Sequence, residues 1–309
     1  MLIGVDVGGT NIRALLIDDS DVRVVARASA STPHDADELA ARVAEVVSHH
    51  LNRTDVHAPV GLAVAGLAHR SGTVHYSPNI ACLVQFPLAE RVAEHLGHEV
   101  VLGNDANAAC WAEYRIGAGQ GVDDLLLVTV GTGIGTGMVV GGRLLDGAHG
   151  FAGESGHMVI DQHGPRHHTG QRGPWEMTAA GTSLMTAAQH AIDTGDLHLV
   201  GDLSPTSFAT ALATGDATAV RLVDGVAQQI ALGCANMVMV LDPARIVIGG
   251  GVSALGEPLR AAIATHLHNE MLGAAYRPPV EVVLAALGDD AGAIGAALWA
   301  RDAYEKFSK

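Results

Sequence analysis

One order of residues occurs twice in this chain: an apolar strand-like run, a glycine and threonine turn, then a second apolar run. LIGVDV, GGTN and IRALLID fill residues 2–18, and LLLVTV, GTGIGTG and MVVGGRLL fill residues 125–145. Glycine is costly inside regular structure. A turn without side chains either closes a hairpin or lets backbone N–H groups approach an anion such as phosphate. From the octet GVDVGGTN alone, the hairpin is the stronger reading. The echo at 131–137 suggests a duplicated α/β unit and a polyphosphate shared by the two halves.

The remaining periodicity fits this pattern. In the first half VRVVARA reads as a further strand, ADELAARVAEVVSHHL as a helix and PVGLAVAG as a buried strand. PLAERVAEHLG then reads as a helix, EVVLG as a strand and NDANAACWAEYRIG as a helix. The second half has an irregular, His- and Gly-rich stretch from Gly147 to Pro174 and a mostly helical region over 177–241. It returns to α/β with the strand RIVIGG, a helix from about 256, the strand VEVVLA and a last helix over 290–303. No disordered linker is apparent. The boundary is expected at an element edge, near residue 104 or in the Gly117–Gly121 turn. Residues 1–116 form a small first domain, on which the C-terminal helix 290–309 can pack, and 117–289 form a larger second one.

Composition narrows the function. Apolar residues make up 48% and aromatics only 4% of 309 residues, so Ala, Val, Leu and Gly fill the core. The net charge of −15 argues against a nucleic-acid surface, which needs clustered Lys and Arg. Cys82, Cys110 and Cys234 are widely spaced without a CxxC, which points to a reducing, cytoplasmic setting. No apolar run reaches the roughly 20 residues of a membrane span.

The glycine turns exclude some chemistries. GTGIGTG has threonine where GxGxxG needs glycine, lies between two strands, and no GK[ST] follows. IGGGV at 248–252 follows an apolar strand and precedes a helix, whose N-terminus favours a phosphate or the adenosine end of a nucleotide. In GNDAN, residues 103–107, helix capping by Asn104 or Asp105 is the stronger reading of the residues alone. The functional alternative makes Asp105 the base for a substrate hydroxyl. GESGH at 153–157, with Glu176, offers carboxylates and a histidine for several sugar hydroxyls or, equally, a solvated polar loop.

Taken together, DVGGTN, AVAGLAHRSGTVHYSPN, GNDANAA, GTGIGTG, GESGH and IGGGVS resemble, in order and spacing over essentially the whole chain, the ROK family of bacterial glucokinases, other sugar kinases and some repressors. The resemblance implies an actin-like, hexokinase-like fold: two α/β domains of the ribonuclease H-like type with a cleft between them. It implies ATP and Mg²⁺ as cofactors, with Asp105 as catalytic base and Asn79, Asn104, Glu154, His157 and Glu176 as sugar contacts. Gly8, Gly9, Thr10 and Asn11, with Thr132 and Gly133, match the phosphate loops. Asp6 matches the acid near the metal-nucleotide, and Gly250 and Gly251 match the adenosine-side turn. The implied reaction is phosphoryl transfer from MgATP to a hexose such as glucose, by family default at the 6-hydroxyl.

Other substrates remain open: an amino sugar such as kanosamine or N-acetylmannosamine, or a cyclitol. A sugar-binding regulator without kinase activity is the alternative of another class. A repressor of the family carries a helix-turn-helix before the first phosphate loop, for which a loop starting at residue 4 leaves no room. Relatives are homodimers or homotetramers, and neither nucleic acid nor membrane is expected as a partner.

Two segments depart from the family. Its zinc site uses the histidine of the GH motif and a CxCGxxGC run, where this chain has HHTGQRGP at 167–174. His167, Thr169 and Pro174 stand at the cysteine positions, and neither threonine nor proline is a zinc ligand. No structural zinc is expected, and hydrogen bonds or packing would hold the loop. His157, His163, His167 and His168 are the residues from which a histidine metal site could be rebuilt. After Asn79, IACLVQFPL lacks a tryptophan common in glucokinases of the group, with Gln85 and Phe86 near its place. Both departures bear on which sugar is used.

Overall fold

The computed structural model describes residues 1–52 and 58–307. In the first half the elements are β1 (Leu2–Val7), β2 (Asn11–Asp18), β3 (Arg23–Ser31), α1 (Ala36–Leu51), β4 (Val60–Val64), β5 (Leu67–Ala68), β6 (Val74–Tyr76), β7 (Val84–Phe86), α2 (Leu88–Leu96), β8 (Val100–Asn104) and α3 (Asp105–Ile116). There follow β9 (Leu125–Val130), β10 (Ile134–Val140), β11 (Arg143–Leu144), α4 (Glu176–Ala179), α5 (Gly181–Asp193), α6 (Pro205–Ala213) and α7 (Ala217–Leu241). The last elements are β12 (Arg245–Gly249), α8 (Glu257–Glu270), β13 (Glu281–Leu284) and α9 (Ala291–Phe307).

The first sheet has the order β3-β2-β1-β4-β8 and the second β11-β10-β9-β12-β13. Numbered within each half, both orders read the same way, so the repeated strand, turn and strand of the sequence seeds the same sheet twice. β1 pairs antiparallel with β2 and parallel with β4; β12 pairs parallel with both β9 and β13. This is the duplicated ribonuclease H-like arrangement of the actin-like fold. Central strands covered on both faces read as unbroken apolar runs: Leu2, Ile3, Val5 and Val7 of β1 are buried, as are Leu125 to Val128 of β9.

The chain forms two compact units. Unit 1 comprises residues 1–121, 137–153 and those from 286 on; unit 2 comprises 122–136 and 154–285. This differs from a division at residue 116, chiefly because 137–153 belongs to unit 1. A Cβ on Gly137 would lie 2.3 Å from Cys110 Cβ, so β10 runs hard against α3. Arg70 pairs with Asp146 at 2.6 Å and also donates to Gly147 O, and the Asn107 amide donates to Ala152 O at 2.8 Å. These contacts are long-range and side-chain specific, which is why periodicity did not reveal them. α9 packs on β1 and β4 within unit 1, so closely that a Cβ on Gly4 would fall 1.8 Å from Ala293 O. Residues 308 and 309 of the expected C-terminal helix lie outside the described residues.

α7 has 25 residues and is apolar and long enough to cross a membrane. Its Val223, Ala227, Ile230, Cys234 and Val238 are instead buried in the core of unit 2, as befits the central helix of a globular unit.

Candidate functional site

In unit 1 the turn after β1 is held by Gly8 N donating to Asn11 O at 3.0 Å and by Thr32 Oγ1 donating to Gly8 O at 2.7 Å. Neither Gly8 nor Gly9 has a left-handed backbone. Gly9 is required by proximity: a Cβ there would sit 2.6 Å from Asn79 O. Asn79, exposed in the loop between β6 and β7, is thereby seated against the Gly8–Asn11 turn. Thr10 and Asn11 are exposed on it.

β8 ends at Asn104, and α3 begins at Asp105. Asn104 caps the helix, accepting from Asn107 N at 3.0 Å, and its amide donates to Gly66 O at 3.1 Å. The capping expectation therefore holds, and the buried cap fixes the direction in which Asp105 leaves the helix. Asp105 is half-buried and accepts from Ala106 N at 2.9 Å. Burial nonetheless holds its carboxyl above the usual range. Asp6, the penultimate residue of β1, is pushed up to about 7 by burial, then by the Asp105 charge and more weakly by Asp289, with Arg13 opposing. Asp289 is a member of this carboxylate group that sequence reasoning missed. It stands in a short 3-10 turn before α9 and has Arg13 at 3.6 Å. Crowded carboxylates of raised pKa are what a bound cation relieves.

In unit 2, Gly131–Gly133 forms the turn after β9, while Gly135, Thr136 and Gly137 lie within β10 and not in a loop. Gly131 O accepts from Gly181 N at 2.8 Å, and Thr132 O accepts from Thr182 Oγ1 at 2.9 Å, which brings the start of α5 against this turn. Beside it opens a mostly apolar cavity of about 860 Å³, lined by Thr132, Thr182, Met185, Phe208, Gly251 and Val252 among others. A flat apolar ligand end and a polar one at Thr132 and Thr182 suit such a pocket. Gly251 lines it. Gly250 supports it from behind, with a left-handed backbone and no room for a Cβ, which would lie 2.5 Å from Val130 O. A five-residue 3-10 segment, Gly251–Leu255, separates this turn from α8, which starts at Glu257, close to the expected 256, so the N-terminus of α8 is not at the glycine turn itself.

Glu154, His157 and Glu176 come together, also in unit 2. The 3-10 turn Ser155–His157 is pressed onto β10: a Cβ on Gly156 would lie 2.2 Å from Ile134 O. His157 Nε2 is 4.0 Å from Glu154 Oε2, and its Nδ1 is 3.8 Å from Glu176 Oε1. Glu176 Oε2 accepts from Ile134 N at 3.3 Å. It occupies the space a side chain on Gly133 would take, at 2.4 Å from the ideal Cβ position. Glu176 is aimed by its neighbour Trp175, which is fully buried and donates from Nε1 to Gln229 O at 2.9 Å. The tryptophan ring lies in a notch of α7 that exists because residue 233 is glycine. The sequence reading did not use Trp175, though a lone tryptophan before a candidate carboxylate was its signal.

His167 joins this group. It is 8% exposed and places Nε2 3.0 Å from Glu176 Oε1. Burial, with His168 and His157 close by, lowers its pKa against the pull of Glu176. His157, His167 and Glu176 bring three possible ligand atoms within 4.8 Å of one another. The family's four-ligand zinc does not fit this chain. Pro174 has no donor, and the Thr169 hydroxyl is 2.7 Å from His167 Nδ1. His163 donates its backbone N–H to Asp161 and belongs to no such group among the described residues.

Comparison with known proteins bears on the family and the fold. The model of the ROK family matches residues 2–303. Glucokinase of Streptomyces coelicolor is 33% identical over 313 residues, covering 98% of both chains. N-acetylmannosamine kinase of Citrobacter koseri is 36% identical over 301 residues, covering 97% of this chain and 98% of that protein. The crystal structure of a ROK family glucokinase from Streptomyces griseus, in complex with glucose and AMPPNP, superposes with a TM-score of 0.87 at 35% identity, over 97% of this chain and 99% of that one.

Proposed function

The chain belongs to the ROK family, and from that membership we propose how its residues carry out ATP-dependent phosphorylation of a sugar. It is an ATP-dependent carbohydrate kinase of the glucokinase type. The base is Asp105. Its half-burial and raised pKa suit a group that takes a proton from a hydroxyl near neutral pH. Adenosine lies in the apolar cavity beside Gly251, and the phosphates lie along Gly131–Gly133 and Gly8–Asn11. Asn79, Asn104, Glu154, His157 and Glu176 take the sugar hydroxyls.

In the reaction the sugar oxygen forms a bond to the γ-phosphorus, the bond from that phosphorus to the bridging oxygen breaks, ADP leaves, and the hydroxyl proton passes to Asp105. Asp6 would be the carboxylate that helps hold the magnesium of MgATP. That ion would neutralise phosphate charge. Asp6 answers to this role because burial and Asp105 already press its carboxyl toward the neutral form.

Glucose is the first substrate to test. N-acetylmannosamine is the second, since a kinase for that amino sugar is as similar as the glucokinases are. A coupled assay of ADP release over glucose, mannose, fructose, amino sugars and cyclitols decides. Turnover of none of them, with ATP binding intact, would refute the catalytic assignment in favour of a sugar-binding regulator. The enzyme acts in the cytoplasm as a homo-oligomer. Support for the oligomer comes from apolar side chains left in solvent on unit 2, among them Val240, Leu272 and Tyr276. Light scattering on the purified protein checks it.

A further inference from the structure

We propose that His167 is a positioning residue of the sugar site: Thr169 fixes it as the Nε2–H tautomer, and that N–H, set against the Glu176 carboxylate, holds Glu176 in place by electrostatic attraction where the family uses a zinc ion. The proposal rests on the assignment of Glu176 to the sugar.

The tautomer follows from donors. Thr169 offers its backbone N–H to His167 Nδ1 at 3.4 Å, and its hydroxyl lies 2.7 Å from the same atom. A backbone amide can only donate, so Nδ1 is the acceptor and the ring proton sits on Nε2. The protonated Nε2 then faces Glu176 Oε1 at 3.0 Å. Metal coordination would need that nitrogen unprotonated. Two residues at the family's cysteine positions thus act as a pair, Thr169 setting which ring nitrogen of His167 carries the proton.

The main chain closes the rest of the loop. His167 N donates to Gln171 O at 2.8 Å, Gly170 N to His167 O at 2.9 Å, and Gly173 N to Pro165 O at 2.8 Å. Arg166 and Arg172 form a β-bridge, and Val159 bridges to Pro174. Gln171 Nε2 donates to His157 O at 2.7 Å, which ties the second histidine to the same hairpin. The consequence reaches the phosphate turn, because the Glu176 oxygen not bound by His167 accepts from Ile134 N. His167 therefore fixes a carboxylate that spans from the sugar group to the turn at Gly133.

Two measurements on the full chain test this. The first is the ring tautomer of His167, read from two-bond ¹⁵N–¹H correlations before and after EDTA and after adding Zn²⁺ alone, together with the metal content of the purified protein. The Nε2–H pattern, unchanged by chelator and by zinc, with no stoichiometric metal, is expected. One tightly held zinc per chain, or an unprotonated Nε2, would overturn the proposal.

The second is kinetic. His167→Ala should raise the sugar KM about tenfold, the cost of losing one polar contact to a charged group, while changing the KM for ATP much less, because Glu176 Oε2 keeps its bond to Ile134 N. His167→Gln keeps an N–H donor and should restore the sugar KM to within about threefold. If Gln rescues no better than Ala, or both KM values rise together, the role is merely structural. Should His167→Ala fail to fold, Thr169→Val decides: the backbone N–H of residue 169 still points at Nδ1, so the Nε2–H pattern should persist, and a ring proton moved to Nδ1 would contradict the proposal. The tautomer and metal readouts do not depend on turnover, so absence of any sugar substrate would refute the kinase assignment while the state of His167 is still decided on its own.

Discussion

Asp6 and Asp105 are a pair of carboxylates whose surroundings press both toward the protonated form, and their different settings separate their roles. Asp105 caps nothing and is free to take a proton, because Asn104 has taken the capping work. Asp105→Asn should lower kcat by about 10²- to 10⁴-fold, the usual worth of a general base, with sugar binding still visible by calorimetry. Wild-type turnover in that variant would remove the base from the mechanism. Asp6 yields a prediction about stability. Burial, with Asp105 beside it, pushes its carboxyl up to about 7 in the folded chain from an ordinary 3.8. Between those values the folded protein holds a proton that the unfolded chain has released, so stability falls as pH rises through that window. Asp6→Asn removes the penalty. The variant should melt higher than wild type at pH 8, melt like it below the ordinary aspartate pKa, and have lost activity. A variant that melts lower than wild type at pH 8 would mean that Asp6 is paired and stabilising.

At the scale of elements, two glycines mark where a side chain would do different kinds of harm. A Cβ on Gly133 meets only the far end of Glu176, at 2.4 Å, and that end can move aside. Gly133→Ala should therefore weaken sugar binding while the melting temperature stays near that of wild type. A Cβ on Gly233 of α7 meets the rigid, buried ring of Trp175 at 2.0 Å. Gly233→Ala should cost about 1–3 kcal/mol in chemical denaturation, the range for overpacking a core, despite the better helix propensity of alanine. The opposite ranking of the two variants would mean that Trp175 does not anchor α4. The contrast also shows what the sequence could reveal. Most strands and helices of the two large sheets followed from periodicity, and the repeated strand and turn pointed to the duplicated unit, whereas the short strands β5, β6 and β7, which pair with one another, did not. The carboxylates at 105, 154 and 176 and the histidine at 157 stood in recognisable motifs. Residues whose value depends on distant partners were not legible: Asp289 beside Asp6, Trp175 in the notch at Gly233, and His167 beside Glu176. The glycines of β10 read as a loop because nothing local states that Cys110 and Ala106 O fill the space where a Cβ on Gly137 would go.

For the molecule as a whole, 33 acidic against 18 basic residues leave a net charge of −15, while the nucleotide it uses is an anion. The glycine and threonine turns proposed for the phosphates would act through backbone dipoles at short range, while at long range the net charge repels an anion. Screening lengths shrink from about 30 Å at 0.01 M salt to about 8 Å at 0.15 M. The association rate of MgATP, followed by stopped flow with a fluorescent analogue, should therefore rise severalfold over that interval. A fall would mean that a local positive field outweighs the net charge. The same field separates the candidate sugars. Glucose and N-acetylmannosamine are neutral, so their kcat/KM at saturating MgATP should stay flat with salt. A sugar with a free protonated amine, such as kanosamine, is drawn in by the acidic surface, and its kcat/KM should decline as salt rises. Whichever sugar is turned over fastest at 0.15 M, its salt profile reports whether the site was reached with the help of that field. A neutral sugar with a falling profile would show that the salt acts on the site itself and not on the approach to it.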